Sequence, residues 1–296
     1  MPRLLIIGDL HVKTFLLPFI DQAIEQIAPD RVIVLGDYMD DWGVSSAVNL
    51  MAARKIITWA HRHDNITLLF GNHDMAYYSG SRNCAGNDWT IKSEAYLLFA
   101  ENLDIMQVAT SADGWLITHS GLCRQWEDQC LAAPQSAHLA AVQINELLET
   151  SEGRRKLEMV GRHRGGYDWP SPLWADWSEL TQDYYFGFNQ IVGHTPQATC
   201  IHKITRTGEQ LWCCDTFSSA SSGHPLGDYS MLLLDTEANT VTVVEQPDQT
   251  GVNTAYRQYS TEDHLGNRAA RASRAKFDAA LTKVPDVEPE SFDKIG

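Results

Sequence analysis

The sequence predicts an α/β protein, and three observations carry that prediction. Short apolar runs that stop at a glycine recur in the first part of the chain, amphipathic helical segments separate them, and a second group of short strands lies between residues 189 and 246. A strand–helix–strand–helix–strand order predicts a parallel sheet with right-handed crossovers. The later strands are separated mainly by turn residues, so we expect them to be mostly antiparallel.

The parallel unit occupies the start of the chain. Buried strands are predicted for RLLIIGD, RVIVLGD and NITLLFGNHD, because each is a short apolar run that ends at a glycine. Between the first two, Ile20, Ile24 and Ile27 recur at the spacing of one helix face. The segment SAVNLMAARKIITWAHRHD predicts a second, longer helix before the third strand.

The rest of the chain continues this alternation and then changes character. A helix near residues 91–101 precedes the strands DIMQVAT and GWLITHSG, and SAHLAAVQINELLET and RRKLEMV are predicted helices. The later strands are NQIVGHT, TCIHKIT, QLWCCDT, YSMLLLD and TVTVVEQ. We therefore predict one catalytic domain over residues 1–246. Residues 247–296 are predicted to form a weakly packed polar tail, partly helical around 267–281.

Composition and charge exclude some classes of function. A chain of 296 residues with a net charge of −15 lacks the basic surface that binding along a nucleic-acid backbone needs. We therefore expect no extended nucleic-acid partner. The charge does not oppose a small anionic substrate, because clustered carboxylates can hold cations that reverse the local field.

The sequence also bears on location. No apolar run approaches the ~20 residues that a membrane-spanning helix needs. The start MPRLLIIGDLHVK is a poor signal peptide, because Asp9 and His11 interrupt its short apolar segment. The six cysteines show no CxxC spacing, and we expect them to be reduced and structural. These features predict a cytoplasmic protein without a membrane partner; they do not indicate an oligomeric state.

Polar side chains follow five of the predicted strands at the point where each strand ends. The motifs are GDLH, GDYMD, GNHD, LITHSG and IVGHTP. Loops at the carboxyl ends of parallel strands converge on one crevice. A single GD turn or a single buried histidine is ordinarily structural, but five such endings in order favour a site. The donors that these motifs supply are Asp9, His11, Asp37, Asn72, His119 and His194.

These donors point to metal binding. Carboxylate, amide and imidazole groups without a thiolate suit Mn, Fe or Zn, and the sequence does not choose among them. One ion would be over-coordinated by six donors, whereas two ions bridged by one carboxylate could share them. Two ions about 3.5–4 Å apart can clamp a phosphate group and activate a water molecule for in-line attack.

In this order the motifs GDLH, GDYMD, GNHD, THSG and VGHT resemble the calcineurin-like metallophosphoesterases. The resemblance is strongest to the phosphoprotein phosphatase branch and its bacterial and phage relatives, and it runs from Leu4 to Leu234. It implies a four-layer α/β/β/α sandwich with mixed β-sheets and a dinuclear metal centre. It also implies a metal-dependent phosphoesterase, with Mn²⁺ as the expected ion and Fe or Zn as alternatives.

The resemblance assigns roles by motif position. Asp9 and His11 would bind the first metal, Asp37 would bridge, and Asn72, His119 and His194 would complete the second. A metal-bound hydroxide would attack phosphorus. His73 matches the general acid that protonates the leaving oxygen, and Asp40 matches the carboxylate that orients this histidine. Asp74 completes GNHD as a supporting group.

One position departs from the phosphatase pattern. The branch usually continues GDxxDRG with an arginine that grips the phosphate, and Asp41 stands in its place. A carboxylate cannot donate to a phosphate dianion and would repel it. We therefore expect Asp41 to influence substrate choice. The segment GRHRGGYDWP offers Arg162 and Arg164 as the best replacements for the missing arginine.

The substrate class stays open among several alternatives. Asp41 favours a small phosphoester, a nucleotide or a dinucleoside polyphosphate. Pro196 in GHTP instead matches the phosphatase branch, so a serine/threonine protein phosphatase with a relocated arginine is the rival enzyme. A non-catalytic binding scaffold with the same fold is the rival from another class, although such relatives lose ligands or the acid histidine.

Overall fold

The computed structural model describes residues 2–80 and 82–261. The strands in this part of the chain are β1 (Arg3–Ile7), β2 (Arg31–Val34), β3 (Ile66–Leu69), β4 (Met106–Gln107), β5 (Ala109–Ala112), β6 (Trp115–Thr118), β7 (Asn189–Val192), β8 (Ile201–Ile204), β9 (Gln210–Cys213), β10 (Met231–Asp235) and β11 (Thr240–Val244). The α-helices are α1 (Leu17–Ile27), α2 (Ser46–Ala60), α3 (Asn72–Ser79), α4 (Lys92–Ala100), α5 (Arg124–Cys130), α6 (Ala137–Glu146), α7 (Ser151–Leu157), α8 (Trp177–Asp183) and α9 (Gln249–Thr261).

Local sequence explains where the early helices begin. A proline occupies the first turn of α1, where its missing N–H costs nothing. Helix α2 begins after Ser45, whose side chain accepts a hydrogen bond from the Val48 amide.

None of the described helices is both long enough and apolar enough to cross a membrane.

The first sheet has the order β11-β10-β1-β2-β3-β4. Strands β1, β2, β3 and β4 are parallel, as the alternating pattern predicts. Strand β10 joins the free edge of β1 in antiparallel register, and β11 pairs with β10 in the same way. The sheet is therefore mixed, and its parallel strands end at one edge.

The second sheet has the order β5-β6-β7-β9-β8. For the strands between residues 189 and 246, the expectation of mostly antiparallel pairing is wrong in part, because β7 and β9 are parallel. The earlier strand β6 is also parallel to β7. Helices α5 to α8 separate β6 from β7 in sequence, and such a long connection allows a parallel return. Strands β5 and β8 flank this core in antiparallel register.

The predicted strand DIMQVAT is divided between the two sheets. Strand β4 pairs with β3, whereas β5 pairs with β6. At the break, the amides of Val108 and Ala109 donate to the Asn145 side-chain oxygen, at 2.8 and 3.0 Å. Asn145 on α6 thus satisfies backbone donors where the chain leaves one sheet for the other.

Apolar clusters define four layers. Leu4 and Ile6 of β1 share one cluster with Trp115 of the second sheet, so the sheets pack face to face. Their neighbours Leu5 and Ile7 point to the opposite face, where they pack with residues of α1 and α2. Helices also cover the outer face of the second sheet, through α6 and α8. This confirms the predicted α/β/β/α sandwich with mixed sheets.

The described part of the predicted tail is helical. Val252 and Tyr256 of α9 are buried in the main cluster, so this stretch packs more firmly than the polar sequence suggests. The domain boundary at residue 246 stays a prediction, and the helix predicted around 267–281 lies outside the described residues.

Candidate metal centre

Both sheets bring their strand ends to one cavity. Asp9, Asp37 and Asn72 follow β1, β2 and β3, while His119 and His194 follow β6 and β7. The cavity has a volume of about 310 Å³. Its lining includes His11, Asp37, Asn72, His73 and His194, together with Asp40, Asp41, Trp42, Arg164 and Trp174.

The six predicted donors lie close together. Asp9, His11 and Asp37 form one group whose candidate ligand atoms all lie within 4.8 Å of one another, and Asp37, His119 and His194 form a second such group. Asp37 belongs to both groups. Asn72 adjoins the second one, because its Oδ1 lies 3.0 Å from Nε2 of His119.

The turns that carry these residues are unusual in backbone conformation. His11, Asp37, Asp40 and His194 have φ values of 40°, 51°, 61° and 65°. Aspartate and histidine tolerate this left-handed region better than most residues. Left-handed conformations at non-glycine residues cluster where the surrounding structure enforces them, often at functional sites.

Glycine is required where two of the turns touch. Gly36 has φ +116°, and a Cβ there would lie 2.4 Å from the amide nitrogen of Gly71. The loops after β2 and β3 therefore approach each other as closely as backbones can. This approach places Asp37 against the GNHD turn.

The donors fit a divalent cation better than they fit one another. Nδ1 of His119 lies 2.8 Å from the Leu35 carbonyl oxygen, so it donates and Nε2 keeps its lone pair. That Nε2 faces Oδ1 of Asn72 and Nδ1 of His194, each at 3.0 Å. Nε2 and the amide oxygen are both acceptors, so no proton lies between them. A cation placed there would satisfy both.

A buried carboxylate oxygen without a partner supports the same conclusion. Within residues 2–80 and 82–261, Asp9 Oδ1 is buried and has no hydrogen-bond partner. Burial, and then the charges of Asp215 and Asp37, raise the pKa of Asp9 well above its usual value. Positive charge would relieve that repulsion. Burial lowers the pKa of His119 and of His194, which favours the neutral form that binds metals.

His73 and Asp40 form the predicted pair. Nδ1 of His73 lies 2.9 Å from Oδ2 of Asp40, and the His73 amide donates to Oδ1 of Asp37 at 3.0 Å. Burial alone would lower the pKa of His73, but the charge of Asp37 and the hydrogen bond to Asp40 outweigh it and raise the pKa to about 9. The imidazole therefore holds its proton firmly in the metal-free protein.

Asp40 is itself held by three more side chains. Its Oδ1 accepts hydrogen bonds from Asn49 Nδ2 at 2.6 Å and from the Tyr77 hydroxyl at 2.9 Å. Its Oδ2 accepts from Asn87 Nδ2 at 2.6 Å. With these donors the carboxylate has a fixed orientation toward His73.

Asp74 joins two of the loops. Its Oδ1 accepts from the Tyr38 amide at 2.9 Å, and its Oδ2 accepts from the Gly71 amide at 3.0 Å. Asp74 thereby caps α3, a helix that begins within GNHD and that the strand pattern did not predict. It lies outside the two donor groups, and its supporting role stays a prediction.

The three predicted substrate-binding residues lie in different surroundings. Arg164 lines the cavity, and its Nη2 contacts Asp176 Oδ2 at 3.0 Å and Thr195 Oγ1 at 2.9 Å. Arg162 is exposed and is absent from the cavity lining. Asp41 lines the cavity, but its Oδ2 lies 3.1 Å from Nζ of the buried Lys13. The substrate roles of all three stay predictions.

Sequence reasoning missed several residues of the site. Asn49, Tyr77 and Asn87, which hold Asp40, carry no strand-end pattern. Cys84 was expected, with the other cysteines, to be reduced and structural; its Sγ lies 3.4 Å from Nδ2 of Asn72 and donates to the Asn72 carbonyl oxygen at 3.2 Å. Asp215 did have a signal, because it follows β9 as the other acids follow their strands, and it is buried beside Asp9.

Comparisons with known proteins give the following similarities. A family model described as calcineurin-like phosphoesterase matches residues 2–198. Among solved structures, the chain is similar to a cold-active protein tyrosine phosphatase, with 15% identity, a TM-score of 0.49 and coverage of 83% of this chain and 79% of that one. It is also similar to a protein serine/threonine phosphatase from Saccharomyces cerevisiae, with 14% identity, a TM-score of 0.43 and coverage of 83% and 81%. No curated protein matches the chain.

Proposed function

Because the chain belongs to the calcineurin-like phosphoesterase family and is a hydrolase acting on phosphoesters, we propose that it uses two divalent metal ions to cleave a small phosphorylated substrate. The substrate would be a small phosphoester, a nucleotide or a dinucleoside polyphosphate. The family assignment confirms the resemblance seen in the sequence.

One observation carries the two-metal proposal. The two donor groups, Asp9–His11–Asp37 and Asp37–His119–His194, share the carboxylate of Asp37. A shared carboxylate is what two neighbouring ions need in order to use six donors without crowding. Asp9 and His11 would hold one ion, while Asn72, His119 and His194 would hold the other.

The ions would supply charge neutralisation at the phosphate and acidity for a water molecule. The donors are oxygen and imidazole, without a thiolate, and such a set suits Mn²⁺, Fe or Zn; of these, Mn²⁺ is the ion that the family resemblance implies. Backbone groups orient two of the donors in advance: the Leu35 carbonyl oxygen fixes the tautomer of His119, and the His194 amide donates to Oδ2 of Asp9 at 3.0 Å.

His73 would act on the leaving group. Its Nδ1 is engaged by Asp40, so Nε2 is the atom that can donate a proton toward the cavity that His73 lines. Asp40 holds the ring in this tautomer and stabilises its protonated form. The departing oxygen would take that proton and leave as a neutral alcohol.

Arg164 would hold the phosphate in place of the arginine that position 41 lacks. Asp176 and Thr195 orient one end of its guanidinium group. In the described part of the chain, its buried Nε has no hydrogen-bond partner and is one of the donors that a phosphate oxygen could use. The cavity volume of about 310 Å³ favours a small substrate.

Arg164 also favours a second candidate function. A cation at the cavity can balance a phosphate dianion, so the carboxylate of Asp41 does not by itself rule out monoesters. A serine/threonine protein phosphatase with a relocated arginine is therefore the second proposal.

The predicted cytoplasmic location and the expectation of no extended nucleic-acid partner rest on the sequence alone.

A metal-supplemented substrate screen tests the proposed function. The purified chain, loaded in turn with Mn²⁺, Fe²⁺ and Zn²⁺, would be assayed on a phosphomonoester, a phosphodiester, a dinucleoside tetraphosphate and a phosphopeptide. We expect turnover of at least one small substrate that exceeds phosphopeptide turnover and disappears with a chelator. Dominant phosphopeptide turnover would favour the second candidate. Two bound ions without hydrolysis of any substrate would favour a binding scaffold.

A further inference from the structure

A buried cation lies beside the cavity, outside the two donor groups. Lys13 is fully buried, and its Nζ lies 3.1 Å from Oδ2 of Asp41 and 3.4 Å from the carbonyl oxygen of His11. An ammonium group is costly to bury unless it is paired. Asp41 lines the cavity and Lys13 does not, so the pair presents its carboxylate to the substrate space.

This ion pair is the last of a series of contacts between the loops after β1 and β2. Three consecutive residues of the first loop each contact the second, in the pairs His11–Asp37, Val12–Tyr38 and Lys13–Asp41. The first two are hydrogen bonds from backbone N–H to carbonyl oxygen, at 2.7 and 3.1 Å. In addition, Nδ1 of His11 lies 2.7 Å from the Asp40 carbonyl oxygen. The two loops are therefore joined residue by residue.

The first loop needs this support because its backbone is strained. Val12 is β-branched and has φ 54°, a left-handed conformation in which such a residue is an outlier. Strain of this kind persists only where the surroundings enforce it. Val12 is buried and lies between His11 and Lys13, so contacts on both sides keep it in place.

We propose that Lys13 is a positioning residue for the general acid. Lys13 fixes the side chain of Asp41. Asp40 directly precedes Asp41 in the chain, and its Oδ2 lies 2.9 Å from Nδ1 of His73. Through this path the ion pair keeps the imidazole aligned with the leaving group. The inference rests on the proposed role of His73.

The surroundings of Lys13 guide the choice of variants. Asp215 is a second buried carboxylate, and the charge of Lys13 partly offsets the rise that burial imposes on the pKa of Asp215. A single substitution of Lys13 would leave two carboxylates buried without their cation. The variant Lys13→Met/Asp41→Leu removes both charges of the pair, and well-packed apolar replacement of a buried pair is often tolerated.

The experiment compares leaving groups. Turnover of a nitrophenyl phosphoester, which needs little protonation, and of an alkyl phosphoester, which needs the acid, would be measured for the wild type, for Lys13→Met/Asp41→Leu and for Lys13→Arg. Lys55→Met is the control, since Lys55 is exposed and, among the described residues, its side chain hydrogen-bonds to Thr14 Oγ1 alone, at 3.4 Å. Histidine ¹H–¹⁵N NMR on the metal-free proteins would report the hydrogen bond that Nδ1–H of His73 donates to Asp40, without reference to activity.

We expect the double variant to lose at least tenfold more alkyl-ester than nitrophenyl-ester turnover and to show a weakened hydrogen bond from Nδ1–H of His73 to Asp40. Lys13→Arg should keep most of the wild-type ratio of the two turnovers, and Lys55→Met should match the wild type. An unchanged ratio with an unchanged hydrogen bond would overturn the proposal.

If the double variant does not fold, the ratio of alkyl-ester to nitrophenyl-ester turnover is measured for Asp41→Asn instead, because this substitution keeps the shape of the side chain. Failure of both to fold, with Lys55→Met folded, would also overturn the proposal, because the pair would then serve the fold alone. A wild type that hydrolyses neither ester would instead refute the proposed function.

Discussion

Replacing His73 with asparagine should slow the cleavage of poor leaving groups far more than that of good ones. General acids contribute roughly 10²–10⁴-fold to rate. Asp40 is held by Asn49, Tyr77 and Asn87 in addition to His73, so the acid is preorganised, and we expect the upper half of that range. A loss of about 10³–10⁴-fold corresponds to about 4–5.5 kcal/mol of transition-state stabilisation.

Asparagine is the suitable replacement because its amide can still donate to Oδ2 of Asp40, which now accepts from Nδ1 of His73 at 2.9 Å. It cannot transfer a proton. His73 belongs to neither donor group, so metal content should equal that of the wild type. The assay is steady-state kcat on a nitrophenyl phosphoester and on an alkyl phosphoester, with metal content measured on the same samples.

For the alkyl ester we expect the full loss of kcat. For the nitrophenyl ester, whose leaving group needs little protonation, we expect a far smaller loss. An equal loss for both esters, with metal content unchanged, would refute the assignment of His73 as the general acid. A loss of metal would show that the imidazole supports the metal centre instead.

Three further predictions concern the phosphate, the ion pair and pH. Arg164→Ala should lower kcat/KM for phosphomonoesters about tenfold or more, the equivalent of one charge-assisted hydrogen bond of ~1.5–3 kcal/mol, while the exposed Arg162→Ala should change it little; equal effects would contradict the assignment. Asp41→Arg would place a second cation beside the buried Lys13, and breaking a buried pair costs about 3–5 kcal/mol, so chemical denaturation should show a large loss of stability. The swap Lys13→Asp/Asp41→Arg keeps a pair and should raise monoester over diester turnover, and an unchanged ratio would contradict the predicted influence of position 41 on substrate choice. The pKa of His73 in the metal-free protein is raised from 6.5 to about 9. Protonated His73 therefore adds to the free energy of unfolding fully below pH 6.5, and this contribution is lost as pH rises through 9. Urea unfolding of the chelator-treated protein should show the loss, and His73→Asn should lack it.

The sequence predicted the location of the donors because each of them ends a strand. Parallel strands bring their carboxyl ends to one edge whatever their exact register, so Asp9, Asp37 and Asn72 had to meet. His119 and His194 follow the same rule in the second sheet. The pattern of strand ends was therefore sufficient to place all of these side chains near one cavity.

Other features could not be predicted because they depend on how distant segments pack. The groups that hold Asp40 come from α2, α3 and the loop after α3, and no periodicity in the sequence links Asn49, Tyr77 and Asn87. The division of DIMQVAT between two sheets depends on Asn145, which lies on a helix 37 residues away from Val108 in sequence. The segment DIMQVAT itself carries no sign of such a partner.

The position of Asp41 was predicted, but its partner was not. The sequence placed a carboxylate where related enzymes have an arginine, and the structure pairs it with Lys13 at 3.1 Å. Lysine is rarely buried, so Lys13 gave no signal that it would be a core residue. Only the close packing of the loops after β1 and β2 brings the two charges together.

Metal stoichiometry tests the central claim most directly. The proposal that Asp37 bridges two ions predicts two divalent ions per wild-type chain, counted by elemental analysis after equilibrium dialysis against Mn²⁺. Asp37→Asn should bind fewer than two ions and lose nearly all turnover, because the residue shared by both donor groups is then neutral. One ion in the wild type, or two ions and near-normal turnover in Asp37→Asn, would contradict the account.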